Sequence, residues 1–379
     1  MINVFQPTIG AEELAEVRAV FESGWTGRGS RTRAFEQGFA DHLGVGAEHV
    51  TAVNSCTEGL FLAMELLEVG PGCEVVLPTV SFVGAANAIA ARGGRPVFCD
   101  VDPRTLNPTV TDVEAKLTAR TRAVVVLHYG GVPGQVAQIA KLCRDRGIAL
   151  VEDAACAVAS SVSGQACGTF GDIGVWSFDS MKILVTGDGG MVYCRDSELT
   201  ARATRLAYLG MDHASGYAQA AVAADRWWEF DVSSFSRRSI VNDVTAAIGC
   251  VQLRWLPGFV QRRRAIAVRY DQALGQLPGL CCPPVVPPGQ LSSHLFYWIQ
   301  LSPGIRDAVA RQLRDREVYT TFRYLPLHQL PIYQAGGSLP GAEAAASQTL
   351  CIPMHQGLDD AEVDTVISEL TAAVMSAVA

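Results

Sequence analysis

The amino-acid sequence predicts an α/β protein: a large domain on a mostly parallel, helix-covered sheet, then a small α+β domain. Three observations carry this. From Glu74 to Ala154, short β-branched runs alternate with helical runs, the pattern of repeated βα units. The chain has 379 residues, too many for one small core and suited to two domains. After CCPPVVPPG, from Cys281 to Gly289, the texture changes and the alternation stops.

The elements follow in order. AEELAEVRAVFESG has apolar residues at helical spacing and a stop at Gly24. NSCTEGLFLAMELLEVGPG reads as a helix with a Ser/Thr start and a Gly-Pro-Gly end. EVVLP, RPVFCDV, RAVVVLH and IALVEDA are strands, separated by the helices FVGAANAIAARG, VTDVEAKLTA and QVAQIAKLCRDRG. VWSFD and GGMVYC are two further strands. Asn242 to Leu274 is one long helical stretch, with an interruption expected at Pro257. HLFYWIQLS and EVYTTFRY read as strands around a helix near residues 304–315, and DDAEVDTVISELTAAV as a closing helix. The large domain is placed at 1–245, and the connecting helix with the small domain at 246–379. Ligands bind at the carboxyl ends of strands in open α/β sheets. Phe82, His128 and Asp153 fall at or just past such ends, so they are expected in one crevice.

The composition narrows the function. Hydrophobic residues are 49% and charged residues 18%, a globular balance. No apolar run has the length of a membrane span, and MINVFQPTIG lacks a basic segment followed by an apolar one. A soluble, cytoplasmic protein without membrane partners is expected. The eleven cysteines include no C-x-x-C pair, which reads as reduced thiols with no metal site. The formal net charge of −8 argues against nucleic acid as the main partner. It leaves room for a small anion held by local amides and a cation or two.

Within WSFDSMKILVTGDGGM, Lys182 lies between a strand and a glycine-rich loop. A surface lysine in a turn is the ordinary reading. Its apolar flanks pull it toward the sheet, and a partly buried lysine becomes a nucleophilic amine able to form a Schiff base with an aldehyde cofactor. Asp153 caps a turn in its ordinary reading; the functional alternative is a carboxylate facing a protonated pyridine nitrogen. SCTEGL is an N-cap, or else a phosphate cradle of free amides and hydroxyls, with Ser177 adding another hydroxyl. Phe82 is a core ring or a ring stacked on a cofactor.

In this order, NSCTEGL, LPTVSFVGAANAI, GRPVFCDVDPRTLN, VEDAACA, GTFGDIGVWSFDSMK, GDGG, AAIGCVQL and TFRYLPLHQLPIY make the chain resemble a known family. These are the pyridoxal-phosphate sugar aminotransferases of the DegT/DnrJ/EryC1/StrS group, within the aspartate-aminotransferase fold (fold type I). The resemblance implies that Lys182 holds pyridoxal 5′-phosphate, present as pyridoxamine 5′-phosphate for part of the cycle, and is the acid/base. It also implies that Asp153 pairs with the pyridine nitrogen, that Phe82 stacks on the ring, and that Cys56, Thr57 and Ser177 hold the phosphate. The family completes the phosphate site from a neighbouring subunit, which assigns Arg238, or Asn242 in another register, and implies a homodimer or larger assembly with shared active sites. Arg238 stands where the family pattern has an asparagine, and three other positions depart from it. Cys156 stands where a glutamine bonds the ring's phenolic oxygen, Asp179 where a histidine is common, and Asp188 where the loop has glutamate.

The resemblance further implies transfer of an amino group from glutamate, leaving 2-oxoglutarate, to a keto sugar on a nucleoside diphosphate. Trp25, Thr26 and Arg28, with Tyr324 and His328, fall where relatives border the substrate. Packing between domains is the alternative for each. The expected reaction is amination at C-4 of a dTDP-4-keto-6-deoxyhexose. The wealth of Ala, Arg, Gly and Val points to a high-GC bacterium, where such sugars decorate antibiotics. The alternatives are a C-3 or keto-cyclitol aminotransferase and a non-catalytic regulatory relative. A nicotinamide-dependent enzyme ranks last, because no G-x-G-x-x-G follows the first strand.

Overall fold

The computed structural model describes residues 1–211, 226 and 228–378. Two helices come first, α1 (Ala11–Glu22) and α2 (Ser30–Leu43). Then follow β1 (Val50–Val53), α3 (Cys56–Leu66), β2 (Glu74–Pro78), α4 (Val83–Ala91), β3 (Arg95–Cys99), α5 (Val110–Glu114), β4 (Thr121–Leu127), α6 (Val136–Arg146) and β5 (Ala149–Asp153). Two short strands, β6 (Ser161–Val162) and β7 (Gln165–Ala166), precede β8 (Ile173–Ser177), β9 (Gly190–Cys194) and α7 (Ser197–Ala207). The long helix is α8 (Asp243–Leu274). The remainder holds β10 (Leu280–Cys281), β11 (Gln290–Leu291), β12 (Tyr297–Leu301), α9 (Arg306–Asp315), α10 (Pro340–Gln348), β13 (Thr349–Ile352) and α11 (Asp360–Val378).

The main sheet has the order β1-β9-β8-β5-β4-β2-β3. β3, β2, β4, β5 and β8 pair in parallel, while β9 runs antiparallel to both neighbours. The sheet is therefore mixed and mostly parallel, as the alternating pattern predicts. β2, β8 and β9 are buried along their whole length, which is why they read as continuous apolar runs instead of alternating ones. On one face, Phe35 and Phe39 of α2 meet Trp176 and Phe178 edge-on, with ring centroids 5.2–5.5 Å apart. α3 lies close against β8 and β9 because Gly59 has no side chain: a Cβ there would come within 2.6 Å of Val175.

A second sheet, β10-β12-β13, packs with α9, α11 and the C-terminal part of α8 around Ile266, Tyr270, Ile299, Leu313 and Leu370. The N-terminal part of α8 belongs to the main core through Ala246 and Leu256. One helix thus serves both cores. Among the described residues no helix is long and apolar enough to cross a membrane.

Three elements differ from the sequence expectation. VTDVEAKLTA is helical only over Val110–Glu114: a Thr109–Asp112 capping box starts the helix, and i→i+3 turns at Lys116 and Leu117 end it. α8 runs unbroken through Pro257. The helix lies close against α2, where a Cβ at Gly249 would come within 2.7 Å of Phe35, and this tertiary packing offsets the hydrogen bond that proline removes. EVYTTFRY forms no regular strand. It makes single bridges, Val318 to Ile2 and Thr321 to Cys351, so the ladder never propagates.

Pro257 is followed by the exposed helical Gly258, whose added Cβ would meet no atom within 4 Å. Gly258→Ala is expected to stabilise the protein by about 0.5–1 kcal/mol, read as a higher urea midpoint. A lower midpoint would show that the helix needs its freedom beside the proline.

Candidate active site

A cavity of about 300 Å³ opens at the carboxyl ends of β5 and β8 and at the N-terminus of α3. Cys56, Thr57, Phe82, Asp153, Ser177, Lys182 and Tyr324 all line it. Seven residues singled out from separate stretches of the sequence therefore meet in one place. The position is where βα topology puts a ligand site.

Lys182 is carried by the excursion between β8 and β9. Phe178 N–H donates to the Gly189 carbonyl (2.9 Å) and Thr186 N–H to the Phe178 carbonyl (2.8 Å), which closes the loop on itself. Lys182 N–H donates to the Asp179 carbonyl (2.9 Å), and Met181 N–H to Asp179 Oδ1 (2.9 Å). After the lysine the chain turns inward as the buried run Ile183–Val185. Two carboxamides, one buried and one half-buried, grip this run. Gln252 of α8 accepts from Val185 N–H (3.3 Å) and donates to Thr8 O (2.8 Å) and Glu13 Oε1 (2.7 Å). Gln356 donates to Ile183 O (3.3 Å) and accepts from Arg263 Nε (2.9 Å). Arg263 is buried without a carboxylate partner among the described residues. It donates to the carbonyls of His294, Leu295 and Met354, and burial lowers its pKa to about 9. A chain of hydrogen bonds thus ties the lysine loop to α8.

Asp153 ends β5 and is 3% exposed, with Oδ1 accepting from Ala155 N–H (3.1 Å). Burial raises its pKa; the Ala155 amide and the charges of Lys182 and His128 pull it back. At the start of α3, Ser55 caps the helix by accepting from Glu58 N–H (3.1 Å), so the first amides after it face the cavity end. Gly190 lets β9 reach this terminus, since a Cβ there would stand 2.8 Å from Cys56 N. Ser177 is buried at the end of β8. Hydroxyls and free amides at a helix N-terminus suit a phosphate. An amine, a buried carboxylate and this cradle around one cavity suit a phosphorylated pyridine aldehyde. Burial pushes the Cys56 thiol well up and the Cys156 thiol to about 11, so neither is a thiolate competing with the lysine amine. Cys156 is buried behind the cavity wall.

The other expected residues lie elsewhere within this chain. His128 faces away from the cavity. Its Nε2 meets Glu152 Oε2 (2.9 Å) and its Nδ1 meets Pro133 O (3.3 Å), while Glu152 also accepts from Gly168 and Gly171. Burial alone would lower the His128 pKa, but Cys167 and Glu152 outweigh it and the net direction is well up. Both ring nitrogens meet acceptors, which fits a buried imidazolium. Arg28 is held by Glu36 at 2.7 Å, and Glu36 also accepts from Ala52 N–H, so this arginine ties the N-terminal loop to β1. Trp25 is exposed and donates to Arg28 O; Thr26 is exposed beside it. His328 is locked between Thr79 Oγ1 (2.8 Å) and Glu343 Oε1 (3.2 Å) and does not line the lysine cavity. Asn242 caps α8 by accepting from Thr245 N–H (3.0 Å), and Arg238 is exposed over the Tyr208 ring. Phe5, Met181, Phe296 and Arg323 also line the cavity, although the sequence does not single them out. Phe5 and Phe296 carry no polar signal, and Arg323 is hidden in a run that reads as a strand.

Comparison with known proteins agrees with this geometry. Residues 7–371 match the model of the DegT/DnrJ/EryC1/StrS aminotransferase family. The chain is 57% identical to a dTDP-4-dehydro-2,3,6-trideoxy-D-glucose 4-aminotransferase of Saccharopolyspora spinosa, covering 99% of this chain and 97% of that protein. It is 36% identical to the spore coat polysaccharide biosynthesis protein SpsC of Bacillus subtilis, covering 95% and 94%. Among solved structures, the aminotransferase TlmJ of Streptoalloteichus hindustanus superposes with a TM-score of 0.95 at 65% identity, covering 99% of both chains.

The lysine loop gives a direct test of its anchoring. Gln252→Leu would leave the buried Val185 N–H and Glu13 Oε1 and the half-buried Thr8 O without this partner. The expected loss is about 1–3 kcal/mol of stability, measured by chemical denaturation of the cofactor-free protein. A loss near zero would mean that the loop is held by packing alone.

Proposed function

Because the chain belongs to the DegT/DnrJ/EryC1/StrS aminotransferase family, we propose that it moves an amino group from glutamate to C-4 of a dTDP-linked 4-keto-deoxyhexose. Members of this family are pyridoxal 5′-phosphate-dependent transaminases, and the chain is such an enzyme. The observation that carries the reading is the meeting of Lys182, Asp153 and the α3 terminus in one cavity. The C-4 and dTDP assignment is supported by the 57% identity to the Saccharopolyspora spinosa 4-aminotransferase.

Lys182 would hold the cofactor covalently through Nζ. Its surroundings suit that role, because the loop is closed by backbone hydrogen bonds and the amine reaches a cavity walled by Leu60, Leu127 and Phe296 that limits water. The bound cofactor supplies an electron sink for the carbanion formed at the substrate carbon. Asp153 would accept a hydrogen bond from the protonated ring nitrogen, and ionising this carboxylate in its buried position is what keeps that proton in place. The amides of Cys56 and Thr57, the Thr57 hydroxyl and Ser177 Oγ would hold the phosphate. Phe82 would lie against the ring. When its amine is free, Lys182 Nζ would move a proton from the donor's α-carbon to the cofactor's C4′, and in the other half-reaction from C4′ to the sugar carbon that takes the amine. Cys156, behind the cavity wall and in place of a carboxamide, would leave the cofactor without one polar contact in this chain. Arg238 and Asn242 lie outside the cavity of their own chain, which suits a site completed across a homodimer.

The visible spectrum tests the donor half of this reading. Wild-type protein loaded with pyridoxal phosphate and freed of excess is expected to show a yellow band that glutamate bleaches, and Lys182→Ala to lack that band. Amination of a dTDP-4-keto-deoxyhexose by the bleached enzyme tests the acceptor half; amination of a keto-cyclitol alone would replace the sugar assignment. A second prediction follows from the Asp153 pKa. It is raised on folding, so the ionised carboxylate opposes folding at neutral pH, and this cost disappears as pH falls through the folded-state pKa. Asp153→Asn is therefore expected to raise the melting temperature of the cofactor-free protein at neutral pH while weakening retention of the cofactor. The gain should close on acidification.

A further inference from the structure

A second cavity, of about 430 Å³, shares Phe296 with the lysine cavity and none of its other lining residues. The proposed reaction makes no use of it. One wall is a face of α8. Ala267, Val268 and Asp271 follow Arg264 by three, four and seven residues, so all four lie on one side of the helix. Another wall is the segment from Cys282 to Val286, and Trp298 of β12 lines the cavity too. Pro283 and Pro284 have a fixed φ, so this wall loses little freedom when a ligand arrives. Val268 and Val285 are exposed, which opens the cavity to solvent. An apolar lining with a few polar groups is the make-up of a small-molecule site.

Those polar groups lack partners. Arg264 is exposed and makes no ion pair or hydrogen bond among the described residues. Asp271 lies two helical turns away, about 10 Å along the axis. Its Oδ1 accepts from Tyr297 Oη–H (2.6 Å), while Oδ2 has no partner among the described residues. Gln290 donates through Nε2 to Gly134 O (3.1 Å), which leaves its buried Oε1 without a donor. The ring nitrogens of His294 make no hydrogen bond among the described residues. Burial, with Arg264 and Arg263 beside it, lowers the His294 pKa to about 4, so the imidazole is neutral at neutral pH and can accept. The cavity thus offers one cation and several unfilled acceptors around apolar surface.

We infer that this cavity is a second ligand site, for an elongated aromatic acid whose far end carries N–H donors. Arg264 pairs with the anionic end. The ring covers Ala267 and Val268 and meets the apolar lining. The donor end meets Asp271 Oδ2 and the neighbouring acceptors. A plain aromatic acid satisfies Arg264 but brings its ring against the Asp271 carboxylate with nothing to give it. A plain hydrocarbon covers both charges and pairs neither. Only a molecule with both ends answers the spacing of the two charges on α8. The inference stands apart from the aminotransferase reading, since Phe296 is the one residue common to the two cavities.

The probe is 4-guanidinobenzoate, which carries both ends on one ring and has no primary amine to react with an aldehyde. It is titrated calorimetrically into holoenzyme loaded with pyridoxal phosphate. Wild type is expected to bind one equivalent per chain with a Kd of about 1 mM or tighter. Val268→Trp, which fills the cavity from its open side, should abolish binding. Arg264→Ala should weaken it roughly fivefold or more. Asp271→Asn should weaken 4-guanidinobenzoate but not benzoate, which lacks the donor end. Far-UV circular dichroism and glutamate bleaching of each variant should match wild type. Binding that survives both Val268→Trp and Arg264→Ala lies elsewhere, the lysine cavity included, and overturns the inference. So does the lack of any saturable binding by the wild type. Neither outcome alters the reading of Lys182.

Discussion

The closed excursion between β8 and β9 is the constraint on which the site depends. An antiparallel pair is normally joined by a short turn, yet here the chain leaves after Ser177 and returns at Gly190. Phe178 bonds at both its N–H and its carbonyl, to Gly189 and Thr186, so the exit and the return are clasped together. Everything between them is then free to serve the cavity. Gly189 sits at φ 157°, and a Cβ there would come within 2.6 Å of Thr186 Oγ1, so this corner of the clasp needs glycine. Lys182 projects on the cavity side, while Ile183–Val185 are driven into the core on the other. The lysine's position is fixed by its neighbours' burial.

That burial brings polar groups into dry surroundings, and each is given partners. Val185 N–H and Ile183 O would be unsatisfied without Gln252 and Gln356. Behind Asp153, Glu152 has no solvent exposure and meets two backbone amides and His128. Successive residues of a strand face opposite sides of the sheet, so Glu152 and Asp153 divide the work: one holds the structure, the other faces the cavity. The His128 imidazolium also lowers the cost of ionising Asp153. Its place after a strand end points His128 to the crevice. The structure puts it one layer behind, where it acts on the carboxylate through charge.

Legibility followed periodicity. The βα alternation, α3 with its Ser55 cap, and the strands β2, β4, β5 and β8 are readable because apolar runs and turn residues alternate at lengths only one architecture satisfies. The cavity residues at strand ends follow from that order, and the family motifs add their roles. β6, β7, β10 and β11 are not readable, since two-residue strands have no period. Pro257 misleads because α8 keeps its path by packing, which local propensity does not contain. Position in a motif places Arg28 and His328 at the substrate. Their partners, Glu36 and the Thr79–Glu343 pair, are not marked in the sequence as partners, and in this chain they hold both side chains in place. Arg323 is the converse case: a strand residue by its pattern, it is a cavity cation with no acid beside it among the described residues.

The segment that carries Arg323 explains how that cation reaches the cavity. A continuous strand at 317–324 would hold alternate side chains on fixed faces and draw the segment wholly into the second sheet. Instead it is pinned at single residues. Ile2 N–H donates to Glu317 O and Ile2 O accepts from Tyr319 N–H; Thr321 and Cys351 exchange both backbone hydrogen bonds. The first pin brings the start of the chain alongside, and Phe5 arrives three residues later beneath the guanidinium. The second joins the segment to β13 through Cys351, whose Sγ lies 3.7 Å from Tyr129 Oη beneath the cavity wall. Between and beyond these pins the backbone is free to turn both Arg323 and Tyr324 toward the cavity, which strand alternation would forbid for neighbours. The irregularity is thus the means by which adjacent residues of the small α+β unit reach a site built at the strand ends of the main sheet.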